Sequence, residues 1–316
     1  MIRAIYKLKF KTGVHFGNGS LTDSLNTFQA DTLFSALCIE SLKIGGEEKI
    51  NKLVDAAKYG KIKISDSFPY ISDTLFIPKP FMPIDVKNNK KNSSKEKKAY
   101  KKLKYLPIDK IDEYMKGKLE VVDINKKVGE LGISEERTLV AIRGLDESEP
   151  YHMGVFRFFK DAGLYIIAEF NESEYKNLFD EIFKSLSYTG IGGKVSAGLG
   201  RFEIEEEELP KKFEERINNA ASSKIKMSLS VCLPEDEIME EVLEDAYYRI
   251  EKRGGFISSE NYANTPMKKK DFYLIRAGGC FDKIFEGRIE DVSIKGKHPV
   301  YRYAKPLFME VPIDEK

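Results

Sequence analysis

Residues 190–201 read Gly190-Ile191-Gly192-Gly193-Lys194-Val195-Ser196-Ala197-Gly198-Leu199-Gly200-Arg201, with five glycines in the first eleven positions. Few segments restrict a fold more. So many residues without a Cβ mark a backbone that turns through positive φ and approaches other backbone closely. Lys194, Ser196 and Arg201 add the donors that phosphodiester oxygens accept from. Two familiar phosphate loops are excluded by spacing. A P-loop needs Ser or Thr after Gly-Lys and a glycine at its start, but Val195 follows Lys194 and Tyr188 holds the first position. A dinucleotide fingerprint begun at Gly190 would need its last glycine at Val195. Both motifs also run strand, loop, helix. Here Tyr175 to Leu186 carries Leu178, Ile182, Phe183 and Leu186 at helical spacing, and Phe202-Glu203-Ile204 begins a strand, so the order is reversed. The segment is expected to join a helix to the last strand of a small sheet, either as an anion-binding loop or as a connector without a ligand.

Ile2, Ala4, Tyr6, Leu8 and Phe10 alternate with Arg3, Ile5, Lys7, Lys9 and Lys11, the period of a strand with one buried and one basic face. The basic face is a candidate nucleic-acid surface or an ordinary solvated one. Asp31 stands as an N-cap before a helix over 32–42 that Gly45-Gly46 would end. The next hundred residues read as irregular, apart from Phe76-Ile77-Pro78-Lys79-Pro80. Arg137 to Arg143 reads as a strand, and 154–159 and 164–170 as a strand pair turning at Asp161-Ala162-Gly163. Strand, helix, strand, strand, helix, strand is the split βαβ, ferredoxin-like plan that RRM domains also use. A polar stretch over 209–224 precedes a second unit, with a strand over 226–233, a helix over 235–248 that turns Leu243 and Tyr247 inward, and strands near 272–276 and 287–292. The expected fold is α+β, two tandem ferredoxin-like (RRM-like, split βαβ) domains. The first spans 1–208 with a long insertion at about 45–135 and the glycine-rich loop at 188–202; the second spans 222–316.

Two domains fit 316 residues, and 41% hydrophobic content allows real cores. With 52 basic against 51 acidic residues, any electropositive surface has to be local. The charges are segregated: Lys87 to Lys104 holds nine lysines and one glutamate, while Glu203 to Glu208 holds five glutamates. The lysine run reads as an insertion, ordered or tethering, and the glutamates as a segment facing solvent or a basic partner. Cys38, Cys232 and Cys280 show no CxxC spacing, so neither a zinc ribbon nor a disulfide framework is expected. Neither a signal peptide nor a membrane helix is read, and the expected compartment is the cytoplasm.

A domain of this order with a G-x-G-G-K-x-S-x-G-x-G-R-F loop after its second helix resembles the RAMP superfamily of CRISPR proteins. His15-Phe16-Gly17, the run Phe28-Gln29-Ala30-Asp31-Thr32-Leu33-Phe34-Ser35-Ala36-Leu37, Phe76-Ile77-Pro78-Lys79-Pro80 and Tyr303-Ala304-Lys305-Pro306-Leu307-Phe308 narrow the likeness to the branch serving as subunit four of type III-A (Csm) effector complexes. The resemblance covers Tyr6 to Phe308. It implies a non-catalytic RNA-binding subunit that holds the 5′ handle of the crRNA and contacts the large polymerase-like Csm subunit and the backbone RAMP subunit, with no membrane and no cofactor. Gly190, Gly192, Gly193, Lys194, Ser196, Gly198, Gly200 and Arg201 should then face the handle. His15, Lys79, Arg143 and Arg157 are further RNA-binding candidates, since single-stranded RNA is held through phosphates and stacked bases. Relatives carry a thumb-like hairpin that wedges between nucleotides, a part the lysine run could play.

Some RAMP relatives cleave RNA. A metal-independent endoribonuclease would need a base near neutral pKa, and His15 is the candidate. No second histidine lies near in sequence, since His152 and His298 are far away. A nucleotide-binding enzyme using the glycine loop for ATP is a third possibility, opposed by the missing Ser or Thr and by the reversed element order.

Overall fold

The computed structural model describes residues 1–17, 19–84, 94–143, 147–259, 262, 265 and 267–313; the side chains at 94, 95, 141–143, 147 and 148 lie outside that description. The first half runs β1 (Ile2–Phe10), α1 (Ala30–Lys58), β2 (Ile62–Ile64), β3 (Phe68–Ile71), β4 (Thr74–Pro78), α2 (Ser94–Lys102), β5 (Tyr105–Pro107), α3 (Ile111–Met115), α4 (Val121–Gly129), β6 (Gly132–Arg143), β7 (Glu147–Phe158), β8 (Ala162–Phe170), α5 (Ser173–Thr189) and β9 (Phe202–Glu207). Seven of its strands form one antiparallel sheet in the order β5-β4-β3-β8-β1-β9, with β2 also pairing β8. Taken as β1, β2 with β3, β8 and β9, the order is that of a split βαβ unit, with α1 and α5 as its two crossover helices.

The second strand of that unit is not where periodicity suggested. β2 and β3 are only three and four residues long, interrupted by Ser65-Asp66-Ser67 and carrying Pro69, so no alternation shows. Tertiary packing selects them, because Ile62, Ile64, Phe68, Tyr70 and Ile71 are all buried. The clear strand at 137–143 pairs instead with its neighbour. β6 and β7 form a separate two-stranded ribbon, in register from Gly132 opposite Phe158 to Arg143 opposite Glu147. The expected pairing of residues 154–159 with 164–170 is therefore absent, since β8 pairs β1, β2 and β3.

Both faces of the large sheet are covered. Ala4, Tyr6 and Leu8 pack with Leu33, Phe34 and Leu37 of α1 and with Phe179 and Phe183 of α5. Ile5, Tyr165 and Ile167 face the other way, against Met227, Leu229 and Met309 from the second half. Every residue of β8 is buried as a result. Each large side chain so buried stabilises the fold by about 1.5–3 kcal/mol. α1 does not stop at Gly45-Gly46: Gly46 leaves helical geometry at φ 65°, and the helix resumes so that Leu53, Val54, Ala56 and Ala57 re-enter the core.

The second half adds α6 (Lys211–Asn219), β10 (Lys226–Ser228), α7 (Met239–Leu243), β11 (Ile250–Arg253), β12 (Phe272–Ile275), β13 (Cys280–Phe281), β14 (Arg288–Asp291), β15 (Tyr301–Ala304) and β16 (Phe308–Glu310). Among the described residues its strands fall into a three-stranded sheet, β13-β10-β16, and two pairs, β11-β12 and β14-β15. The helix expected over 235–248 shrinks to one 3-10 turn and α7. Tyr247 is drawn out of it into a two-way backbone pairing with Cys280, and its side chain is exposed rather than inward. The halves are tied polar as well as apolar: Asp66 Oδ1 accepts from Ala30 N–H (2.8 Å) at the start of α1 and from Val231 N–H (3.0 Å) beyond β10.

Candidate nucleic-acid interface

The glycine loop packs against the segment after β1. Gly193 N–H donates to His15 O (2.8 Å), Gly200 N–H to Gly13 O (3.0 Å) and Ile191 N–H to Gly200 O (3.0 Å). These contacts explain the composition. A Cβ at Gly193 would stand 2.7 Å from the His15 ring, and one at Gly200 would stand 2.1 Å from Ile191 O, at a φ of +77° that side chains rarely adopt. Gly190 and Gly200 are buried, so they shape the loop rather than meet a ligand. Gly192, Lys194, Ser196 and Arg201 form its exposed side. Lys194 itself adopts left-handed geometry at φ 60°, and among the described residues the N–H groups of Gly192 and Lys194 have no acceptor. Lys194 Nζ reaches Tyr151 Oη (3.3 Å) and lies 5.2 Å above that ring. Leu199 packs on Met153 and Val155, so the β6-β7 ribbon is seated on the loop.

His15 is 7% exposed, and its Nδ1 lies 2.7 Å from Gly154 O. A carbonyl only accepts, so Nδ1 carries the hydrogen and Nε2 is the free nitrogen. With Gly192 and Gly193, His15 lines one wall of a cleft of about 290 Å³. The start of α1 and the ends of β11 and β15 supply the rest. Asp31 is here, and it is not an N-cap: the capping position is Gln29, and the Asp31 carboxylate, buried in the first turn, binds two arginines from the second half. Arg253 forks onto it with Nε at 3.0 Å and an η-nitrogen at 2.9 Å, and Arg302 donates to the same carboxylate. Lys269 lines the same cleft. Burial, and after it the Arg302 guanidinium, hold its ammonium below the usual lysine range.

Beyond Thr27, Phe28 and Gln29, which border both, a second cleft of about 590 Å³ opens. Lys79, Lys101, Lys102, Lys104, Arg249 and Arg276 line it, against Asp66 and Glu251. Arg249 sits 5.0 Å over the Phe81 ring, an arrangement on which bases stack. Lys79 donates to Tyr100 O (3.2 Å), and burial together with Arg249 lowers its pKa. Together the two clefts make a cationic trough with one end at the glycine loop.

The other expected residues fall elsewhere. Arg157 is exposed on β7, paired with Glu135 (3.2 Å), and lines neither cleft. Arg143 ends β6, not a central strand, and its side chain lies outside the described residues. Of the lysine run, residues 85–93 lie outside the described residues, while the described part forms α2, a helix rather than a hairpin. The basic face of β1 is neutralised: Lys7, Lys9 and Lys11 pair with Glu207 (2.6 Å), Glu205 (2.5 Å) and Glu203 (2.7 Å) of β9. Glu203, Glu205 and Glu207 therefore meet this chain's own lysines, and Glu206 meets Lys176 (2.9 Å). Arg249, Arg253, Lys269, Arg276 and Arg302 join the trough without a motif in the sequence that marks them. The one sequence signal was a charged residue inside the alternating run Tyr301-Arg302-Tyr303-Ala304.

Comparison with known proteins agrees with this architecture. The family model described as "RAMP superfamily" matches residues 7–203, and that described as "CRISPR Csm4 C-terminal domain" matches residues 221–311. A protein of Mycobacterium tuberculosis named "CRISPR system Cms protein Csm4" is 35% identical over 94% of each chain. One of the same name from Streptococcus thermophilus is 36% identical over 98% of this chain and 99% of its own. Among solved structures, a Csm3-Csm4 subcomplex of the type III-A CRISPR-Cas interference complex superposes with a TM-score of 0.69 at 20% identity, covering 98% of this chain and 100% of the other. A Csm1-Csm4 cassette gives 0.62 at 20% identity over the full length of both. The chain belongs to the RAMP superfamily and, within it, to the Csm4 family of CRISPR proteins.

Proposed function

We propose that this chain is the non-catalytic RNA-binding subunit of a cytoplasmic type III-A (Csm) ribonucleoprotein, holding the 5′ handle of the crRNA in its trough. One observation carries the reading. The exposed side of the glycine loop, with Lys194, Ser196, Arg201 and two N–H groups that lack an acceptor among the described residues, opens beside clefts in which the described cationic side chains outnumber the carboxylates. Such a surface fits a single strand held by its phosphates with its bases stacked or pocketed. The β6-β7 ribbon, seated on the loop, has the hairpin form of a thumb. The relatives solved with Csm1 and with Csm3 support contacts to the large polymerase-like subunit and to the backbone RAMP subunit. His15 acts in binding, its ring fixed by Gly154 against the loop. We read the second half as an open variant of the ferredoxin-like plan.

The test is to pull the tagged chain from its native host, identify the co-purifying proteins and sequence the 5′ ends of bound RNA. A shared repeat-derived 5′ end together with both partner subunits is expected. Heterogeneous RNA, or none, would overturn the handle-holding role and direct attention to an endoribonuclease using His15.

A further inference from the structure

Among the described residues, the pocket around Asp31 is short of negative charge. Arg253, Arg302 and Lys269 converge there, and the two arginines share one carboxylate. Glu251 takes a second bond from Arg253 (3.3 Å) but is also claimed by Arg276 (3.2 Å) and by Gln29. Arg302 is 6% exposed, yet its Nε is buried and has no acceptor among the described residues. The Lys269 ammonium makes no hydrogen bond among the described residues. An unsatisfied buried donor costs about 1–3 kcal/mol, more when charged, so the pocket as it stands is incomplete.

We propose that this pocket seats one internal phosphodiester of the bound single-stranded RNA, with Lys269 and the Arg302 guanidinium as the partners of its oxyanion. The proposal rests on the handle-holding reading and deepens it. A phosphate oxygen supplies the acceptor that Arg302 Nε lacks and the counter-charge that Lys269 lacks, and planar guanidinium groups match it well. Asp31 fixes both arginines beforehand, so little side-chain freedom is lost on binding. Position identifies the group as internal. Gly192 and Gly193 of the exposed loop border the pocket on one side, and Thr27 to Gln29 lead into the larger cleft on the other, so the strand continues in both directions.

The full chain is titrated with a short single-stranded RNA carrying a repeat-derived 5′ end, and with a series in which one phosphate at a time is a neutral methylphosphonate. Lys269→Gln is expected to weaken binding about tenfold and to flatten the salt dependence by about 0.7. At one internal position the methylphosphonate should cost the unmodified chain about tenfold and cost Lys269→Gln nothing, the signature of a shared contact. Lys269→Arg should restore affinity. If every position costs Lys269→Gln what it costs the unmodified chain, the pocket holds no phosphate. If the variant responds only to the presence of a 5′-terminal phosphate, the internal assignment fails. Loss of affinity in Lys194→Ala but not in Lys269→Gln would remove this pocket and leave the handle-holding reading standing. No binding by the unmodified chain would remove both.

Discussion

Two basic surfaces of this protein look alike in sequence and differ in the fold. On β1, Lys7, Lys9 and Lys11 stand opposite glutamates of β9, each within 2.7 Å of its partner, so a strand rich in lysine presents little net field. In the trough, Arg253 and Arg302 share the buried Asp31 with Lys269 beside them, and the cations from Lys101 to Lys104 with Arg249 and Arg276 outnumber the described carboxylates that line the same cleft. Local density of basic residues therefore says little about where an anion is held. The pairing made by the tertiary structure decides, because a cation matched one to one by a carboxylate presents little net charge to an anion.

The sharpest way to break the comparison is to remove the shared carboxylate. Asp31→Ala leaves two guanidinium groups buried without a counter-ion and is expected to lower stability by about 3–5 kcal/mol. A urea midpoint close to that of the unmodified chain would mean that the arginines are solvated and the trough is not built around Asp31.

A smaller effect comes from Asp66, which joins the halves next to the trough. Burial pushes its carboxyl up to about 7 from an ordinary 3.8. Because the folded-state value is the higher, the stability that this group contributes is complete below the unfolded value and is lost as pH rises through about 7. Between about pH 5 and about pH 8 the unmodified chain should lose about 2.5 kcal/mol relative to Asp66→Asn, which keeps the acceptor for Ala30 and Val231 but does not ionise. Parallel Tm profiles for the two proteins would show that Asp66 is already charged when folded.

At the loop, Lys194→Ala or Arg201→Ala should weaken RNA binding about tenfold and each flatten its salt dependence by about 0.7, the value for one contact to single-stranded RNA. Unchanged slopes in both would take the loop out of the site. Smallest of all, Lys9→Ala should change stability by under about 1 kcal/mol and leave the RNA salt slope as it was, since its partner is Glu205. A slope lowered by as much as in Lys194→Ala would show that β1 also meets RNA and would erase the contrast.

Much of the first half was legible in the chain. β1 and α5 announce themselves by period, and β9 by the strand pattern that follows the glycines; the loop is predictable because Gly190, Gly192, Gly193 and Gly200 each meet a steric demand that only glycine satisfies at that place. The strand beside β8 was hidden. β2 and β3 are too short and interrupted to show alternation, whereas the longer run at 137–143 showed it and belongs to the β6-β7 ribbon. Tyr247 departs from its helical period for a related reason, since its backbone pairing with Cys280 overrides a local helical pattern.

The order of residues alone carries the reversed helix-loop-strand order, the glycine loop with its three polar side chains, and a balance of charge too even to hold an anion everywhere. Which of the described cations stay without a matching carboxylate follows from how distant segments pack. Asp31 meets Arg253 from 222 residues away and Arg302 from 271, and the β1 lysines find their glutamates about 200 residues on. Local periodicity tells which face of a helix or strand is buried. It does not tell which distant segment covers that face, and the register of that packing sets the distance between charges on which their interaction depends.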